Sequence, residues 1–453
     1  MFLRKTCQGV LQYGKGCLKL QTFKHSTAVP PRVQNSSAKR YIGKARLSSV
    51  TPSLSLLSRN IVTTSKCAQV DAAEKRNVTF EKITSFSAPY SHLKIKVAGQ
   101  SLQLYYVWLR DHCQCKQCID QKTFQKNIVT NDIPLDIQPK EVNIEGDDLV
   151  IEWPDGHVTT YSLNWLLENA YPGKPDILQV PKVLWNAETI KSQSPTPVPY
   201  QEYMDTDGGL RNMLKDLLTY GFGLVSEVPA NTDATEKVAR RVAFVKETLY
   251  GGMWYTRATG EYKDYKDSSF SNVGLGSHID TCYFNEPSGI QVFHCLQEAP
   301  QGGESVLVDG FHVAMQVKKQ NPDAFDYLVR TPIPHYCLDD QYHLRSVDTT
   351  FRLDPCTGDL VQFRYNNYDR GIINTIPADE IPRFYCAMKL LSQEVMSPDN
   401  EYWFKLSPGT VIFIDNWRTM HGRAEFAGER ILCGCYLPRD DWLSKARYLG
   451  LAK

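Results

Sequence analysis

Beyond residue 80, apolar residues come in short runs broken by turn formers. Leu102 to Leu109 is largely apolar, Val142 to Ile144 and Leu149 to Trp153 flank Gly146-Asp147-Asp148, and Pro154-Asp155-Gly156 follows as a second turn. Runs of this length bounded by Gly, Asp and Pro predict β-strands, so residues 80–190 form a small, mostly β module. Ser162 is placed to cap a short helix running to Asn169, because its hydroxyl can accept from a first-turn N–H. The polar, proline-bearing stretch Gln193 to Pro199 predicts a linker, at 191–200, to a larger domain over 201–453.

The larger domain opens with Leu210, Met213, Leu214, Leu217 and Leu218 at helical spacing, then a Gly-Phe-Gly turn and an apolar strand from Leu224 to Val228. Asp233 with Glu236 three residues on predicts a capping box, and Val238, Val242, Val245 and Leu249 the buried stripe of the next helix. Strand-like runs follow at Gly289–Cys295, Ser305–Val308, Leu360–Tyr365, Thr410–Ile414 and Ile431–Leu437, interrupted by one helix at Ala378–Val395. Many strands with few helices between them argue for a barrel or sandwich over a parallel α/β sheet.

Charge changes the picture at the amino terminus. The first 70 residues hold twelve Lys or Arg and no Asp or Glu, leaving 39 basic against 50 acidic residues in the rest. An acidic remainder excludes nucleic-acid binding by bulk electrostatics. The leader over 1–70, rich in Ser, Thr, Lys and Arg, matches a mitochondrial transit peptide, with cleavage expected near Arg59 to Lys66 and the matrix as destination. No run of eighteen apolar residues occurs, so no membrane-spanning helix is expected. Thirteen cysteines in a chain this large point to reduced thiols and metal ligands.

Two clusters carry candidate chemistry. Gly-Ser-His278-Ile-Asp280 lies far upstream of Asn416-Trp417-Arg418-Thr419-Met420-His421, and two histidines with one carboxylate form the facial set that holds non-haem Fe(II) with open positions. On a strand, i and i+2 share a face, so His278 and Asp280 are expected to grip one ion. His421 follows the apolar run Thr410 to Ile414; Arg430, nine residues beyond it, suggests a dicarboxylate cosubstrate, as does the Gly-Gly-Glu-Ser305 turn into an apolar strand. Separately, Cys113, Cys115 and Cys118 with His157 at the tip of the Pro-Asp-Gly hairpin complete a closed tetrahedral set, which suits structural zinc.

Val107-Trp-Leu-Arg-Asp-His-Cys113, Trp153-Pro-Asp-Gly-His157, Val183-Leu-Trp-Asn-Ala-Glu188, Gly289-Ile-Gln-Val-Phe-His-Cys295, Arg364-Tyr-Asn-Asn-Tyr-Asp-Arg370 and Phe413-Ile-Asp-Asn-Trp-Arg418 make the chain, over roughly 95–453, resemble the γ-butyrobetaine hydroxylase family of Fe(II)/2-oxoglutarate oxygenases. The resemblance implies a double-stranded β-helix (jelly-roll) catalytic domain behind a zinc-bearing, β-rich amino-terminal domain, mainly β with flanking helices, and a homodimer. His278, Asp280 and His421 then fall on the iron ligands, Arg430 and Ser305 on the 2-oxoglutarate site, and Cys113, Cys115, Cys118 and His157 on the zinc ligands. Tyr250, Trp254, Phe270 and Tyr436 match the walls of an aromatic cage for a quaternary ammonium; the family usually has tyrosine where this chain has Phe270. Asp267 stands where a carboxylate would complement an α-ammonium, and Asn366 or Asn367 is offered for the substrate's carboxylate.

What the resemblance implies is hydroxylation of free trimethyllysine at C3 with O₂ and 2-oxoglutarate, ascorbate keeping the iron ferrous. Three rivals remain. γ-Butyrobetaine hydroxylation on the same scaffold is disfavoured by Asp267 and the leader. A non-catalytic reader of methylated lysine is disfavoured by the intact His278, Asp280, His421 and Arg430. A zinc-dependent structural or interaction protein would make any activity independent of iron.

Overall fold

The structure, a computed structural model, describes residues 62–63, 79–83, 91–171, 180–258, 271–339 and 341–452. Apart from residues 62–63, the leader and its expected cleavage segment lie outside them.

Two small antiparallel sheets build the first module. His92–Val97 and Gln100–Tyr105 close one, and Glu141–Glu145, Asp148–Glu152 and Val158–Ser162 make a three-stranded meander around the two expected turns. Alternate residues turn inward, so Leu93, Ile95 and Val97 share one core with Leu149, Ile151, Trp153 and Tyr161. Ser162 Oγ accepts from Trp165 N at 3.1 Å and starts the helix Leu163–Asn169. The run Leu102 to Leu109 is not one strand. Pairing ends at Tyr105, and Tyr106–Asp111 is a helix whose buried residues, Tyr106 and Leu109, are three apart, the spacing of one helical face.

The larger module is two facing sheets. One runs in the order Met253–Ala258, Arg430–Leu437, Ile290–Gln297, Val411–Asp415, Phe222–Ser226 and Val198–Pro199; the other runs Leu275–His278, Thr419–Arg423, Ser305–Asp309 and Tyr402–Phe404. All pairings are antiparallel except the short Val198–Pro199 edge, and the mainly β, jelly-roll expectation is met. Helices Asp207–Tyr220, Thr232–Val242 and Arg439–Tyr448 cover the outside of the larger sheet. Gly310–Gln320, Pro322–Arg330 and Ile381–Val395 back the smaller one. Trp185 and Ile190 already pack in the core between the sheets, with Phe222, Ile412 and Tyr436.

Several elements differ from expectation. The cap of the Thr232–Val242 helix is Asn231, whose side chain accepts from Ala234 N, and Asp233 lies in the first turn. The helix stops at Val242 although the apolar stripe continues, because Lys246 N donates to Tyr436 O and ties the following segment to the sheet. The strand expected at Leu224–Val228 is Phe222–Ser226. Five further helices, Ala187–Gln193, Tyr200–Asp205, Gly310–Gln320, Pro322–Arg330 and Arg439–Tyr448, were not anticipated.

No helix among the described residues is long and apolar enough to cross a membrane. The described cysteines, including Cys433 and Cys435 in the sheet, are all free thiols.

Candidate active site

His278 ends its strand directly opposite His421 in the antiparallel register, which brings the two imidazoles to a centroid separation of 4.6 Å. Asp280 arrives differently from expectation. The strand stops at His278, Ile279 N bonds Tyr365 O at 2.8 Å, and Asp280 opens a turn in which Thr281 takes a φ of 57°. A β-branched residue in this left-handed region is strained, so the turn, and not strand alternation, aims the carboxylate. Asn416, fully buried, holds that turn: its Oδ1 accepts from Asp280 N and its Nδ2 donates to Asp280 O and Ser288 O, each at 3.0 Å.

Asp280 Oδ1 lies 3.2 Å from His278 Nε2, and Oδ2 lies 3.7 Å from His421 Nε2. Ligands at adjacent octahedral corners about 2.1 Å from a metal are about 3 Å apart, so the three donors fit one ion. His278 Nδ1 is within 2.8 Å of Gly276 O, a bond that turns the Nε2 lone pair toward Asp280. His421 Nδ1 has no such partner among the described residues; its ring is held edge-on by Phe293 at 5.1 Å. Burial alone would raise the Asp280 carboxyl, but the charges of His421 and His278 and the Tyr436 hydroxyl outweigh it and hold it at about 2. Burial pulls His421 down to about 4. Burial also pulls on His278, but the bond and charge of Asp280 outweigh it and raise this imidazole. An ionised carboxylate beside a neutral imidazole is the form a divalent metal binds.

The three donors open onto a cavity between the sheets, of about 150 Å³, which Arg430, Ser305, Tyr250, Trp254, Asn366 and Tyr436 also line. Arg430 is 7% exposed, its ring contact is Phe426 at 5.6 Å, and among the described residues no acceptor pairs with its guanidinium. A buried cation without an anion is costly, which marks the place for an anionic ligand. Six residues along the same strand, roughly 20 Å at strand rise, Tyr436 faces Tyr250 at 6.4 Å, and Tyr250 Oη meets Tyr283 Oη at 3.3 Å. Trp254 packs on Phe293 at 5.4 Å; its ring lies where a Cβ on Gly434 would fall, 2.4 Å away. Glycine in Cys433-Gly-Cys435 is therefore a requirement of this wall.

The two asparagines separate. Asn366 Nδ2 donates to Ile279 O and Asp369 Oδ2, and its Oδ1 accepts from Tyr368 N and Asp369 N, so its amide is used in closing the 366–369 turn and tying it to the segment before Asp280. Asn367 is exposed, donates to Tyr365 Oη at 2.7 Å and is absent from the cavity lining. Asp267 and Phe270 lie outside the described residues. Sequence reasoning did not single out Tyr283, Tyr368, Gln291 or Phe293, which line the cavity; inward alternation along Ile290–Gln297 was the available signal for the last two.

In the first module, His157 Nε2 lies 3.3 Å from Cys113 Sγ and 3.6 Å from both Cys115 Sγ and Cys118 Sγ. Tetrahedral zinc with bonds of about 2.1 and 2.3 Å places N and S about 3.6 Å apart, so the set fits. His157 Nδ1 meets Gln117 Oε1 at 3.1 Å, which frees Nε2 for the metal. Arg110 Nη1 donates to Cys118 Sγ at 3.4 Å.

A 2-His-1-carboxylate set inside a two-sheet sandwich defines the class of metal-dependent oxygenases. The chain belongs to the taurine catabolism dioxygenase TauD, TfdA family, whose model matches residues 183–436. Residues 86–167 match the γ-butyrobetaine hydroxylase-like amino-terminal domain. The chain is 43% identical over 364 residues to "Trimethyllysine dioxygenase, mitochondrial" of Homo sapiens and of Bos taurus, spanning 80% of this chain and 86% of theirs. It is 30% identical to "Trimethyllysine dioxygenase" of Meyerozyma guilliermondii, over 78% of this chain and 92% of that one.

Proposed function

We propose that the protein hydroxylates free N6,N6,N6-trimethyllysine at C3, consuming 2-oxoglutarate and O₂ and releasing succinate and CO₂, as in carnitine biosynthesis. The observation that carries this reading is the order along Arg430–Leu437: a buried arginine with no acceptor among the described residues at one end, an aromatic cluster at the other, and the metal-ligand set opening onto the same cavity. A dicarboxylate suits the first end, since a planar guanidinium binds a carboxylate with two parallel bonds. A quaternary ammonium suits the second, since it has no N–H to donate and is held by π faces. The names of the similar proteins match this pair of ligands.

His278, Asp280 and His421 would hold Fe(II), and bound iron with 2-oxoglutarate and O₂ supplies the oxidising chemistry. The protein's own part is positioning. Arg430, with Ser305 on the adjoining wall, fixes the distal carboxylate of 2-oxoglutarate. Tyr250, Trp254, Tyr436 and Phe270 hold the trimethylammonium and Asp267 the α-ammonium, and fixing both ends of the substrate orients the carbon chain between them. Cys113, Cys115, Cys118 and His157 hold structural zinc. Ascorbate as reductant, a homodimer and the mitochondrial matrix belong to the same reading; the basic leader and the mitochondrial relatives support the last.

Iron-loaded protein given 2-oxoglutarate, ascorbate and O₂ is expected to form one succinate per hydroxylated trimethyllysine, by mass spectrometry. Tight binding of trimethyllysine without succinate would make the protein a reader and sink the reading.

A further inference from the structure

Gln291 occupies the middle of the larger sheet, 1% exposed, with its register partners Tyr436 on one side and Ile414 on the other. Its neighbours in the strand, Ile290 and Val292, point to the helix-covered face, whereas Gln291 lines the cavity. An apolar residue would satisfy such a place. The amide instead carries a buried oxygen, Oε1, with no hydrogen-bond partner among the described residues, an arrangement that native proteins seldom keep without a use.

Resting on the substrate reading above, we infer that the side-chain amide of Gln291 is a ligand-contacting, specificity-determining group that faces the trimethylammonium beside Tyr436 and favours a charged head group over a neutral one of the same shape. The positive charge of a quaternary ammonium is spread over its methyl hydrogens, so its complements are π faces and oxygen lone pairs. Tyr436 supplies a face, and Gln291, directly beside it on the same inner surface, supplies the lone pair. A carboxylate there would attract the cation more strongly. It would also sit beside Asp280, to which Tyr436 Oη donates at 2.9 Å, and would compete for the metal. A neutral amide adds the dipole without a second anionic ligand.

The test compares trimethyllysine with its uncharged carbon isostere, 2-amino-7,7-dimethyloctanoic acid. Dissociation constants are measured anaerobically on protein loaded with Fe(II) and 2-oxoglutarate, with thermal melts to confirm folding. Wild type is expected to prefer the charged compound. Gln291→Met, and Gln291→Leu should the first fail to fold, are expected to reduce that preference about tenfold, with the affinity for the isostere and for 2-oxoglutarate unchanged. An unchanged preference, or equal losses for both compounds, overturns the inference while leaving the substrate reading intact. Wild-type protein that binds neither compound removes the substrate reading and the inference with it.

Discussion

Single side chains in and behind the cavity wall divide into those that will touch a ligand and those that aim the ones that do. Asn416 and Asn366 belong to the second group, since their amides bond the backbone of Ile279, Asp280 and Ser288 and the 366–369 turn. Arg430 belongs to the first. Arg430→Gln removes a charge-assisted, two-pronged contact of roughly 2–4 kcal/mol, so KM for 2-oxoglutarate should rise on the order of 30- to 1,000-fold. KM for trimethyllysine should stay within a few-fold in steady-state kinetics, and equal losses for both would place Arg430 elsewhere in the reaction. At this scale the two candidate metal-ligand sets were legible because ligand chemistry restricts residue type and spacing. Gln291 was not, because an amide inside an apolar strand has no signature until the strand's neighbours and the cavity are known. The pairing of His278 with Asp280 was legible as a pair but not as a geometry: a turn after His278 does what alternation was expected to do.

Elements were legible where one periodicity ruled. Five strands of the two sheets, Phe222–Ser226, Ile290–Gln297, Ser305–Asp309, Val411–Asp415 and Arg430–Leu437, follow their apolar runs to within a few residues, as does the helix Asp207–Tyr220 with its five-residue leucine and methionine stripe, whereas Met253–Ala258, Tyr402–Phe404 and Thr419–Arg423 were not anticipated. Ends and most short helices were not, the Ser162-capped helix Leu163–Asn169 excepted. Asn321 caps Pro322–Arg330 by accepting from Ala324 N, with Pro322 at the first helical position, a local signal outweighed by the strand-rich surroundings. The helix Thr232–Val242 meets the sheet through a buried contact: Thr235 Oγ1 lies 2.7 Å from His294 Nδ1 and 3.2 Å from Cys433 Sγ. His294 is fully buried, and burial lowers its pKa from 6.5 to about 4. Keeping it neutral costs nothing above pH 6.5, where the unfolded chain is neutral too. Below that, protons bind the unfolded chain first, so stability falls as pH drops from 6.5 to about 4, by roughly 3 kcal/mol from this residue. Urea midpoints of His294→Gln should fall less than those of wild type over that window; parallel curves would contradict the assignment.

For the whole molecule, two modules of different design share one chain. The larger buries extensive clusters on both faces of its sheets. The smaller has one core, from Leu93 to Ala170, and Cys113 and Cys118 are buried as well. A small core of this kind commonly depends on a structural metal. Chelation by a zinc-selective reagent is therefore expected to lower the melting temperature of the first module, read by Trp108 and Trp165 fluorescence. Readdition of zinc should restore it; a melt insensitive to zinc would refute the structural site. Charge was legible at this scale from composition alone, since an acid-free leader precedes an acidic remainder.

The central claim is substrate choice, and it is tested most directly by offering trimethyllysine and γ-butyrobetaine in parallel to protein loaded anaerobically with Fe(II), then given 2-oxoglutarate, ascorbate and O₂. An Asp267 carboxylate that meets an α-ammonium predicts kcat/KM higher for trimethyllysine by about a hundredfold or more, a charge-assisted contact of roughly 3 kcal/mol. Equal or reversed preference would keep the metal site and the family but contradict the assignment of substrate.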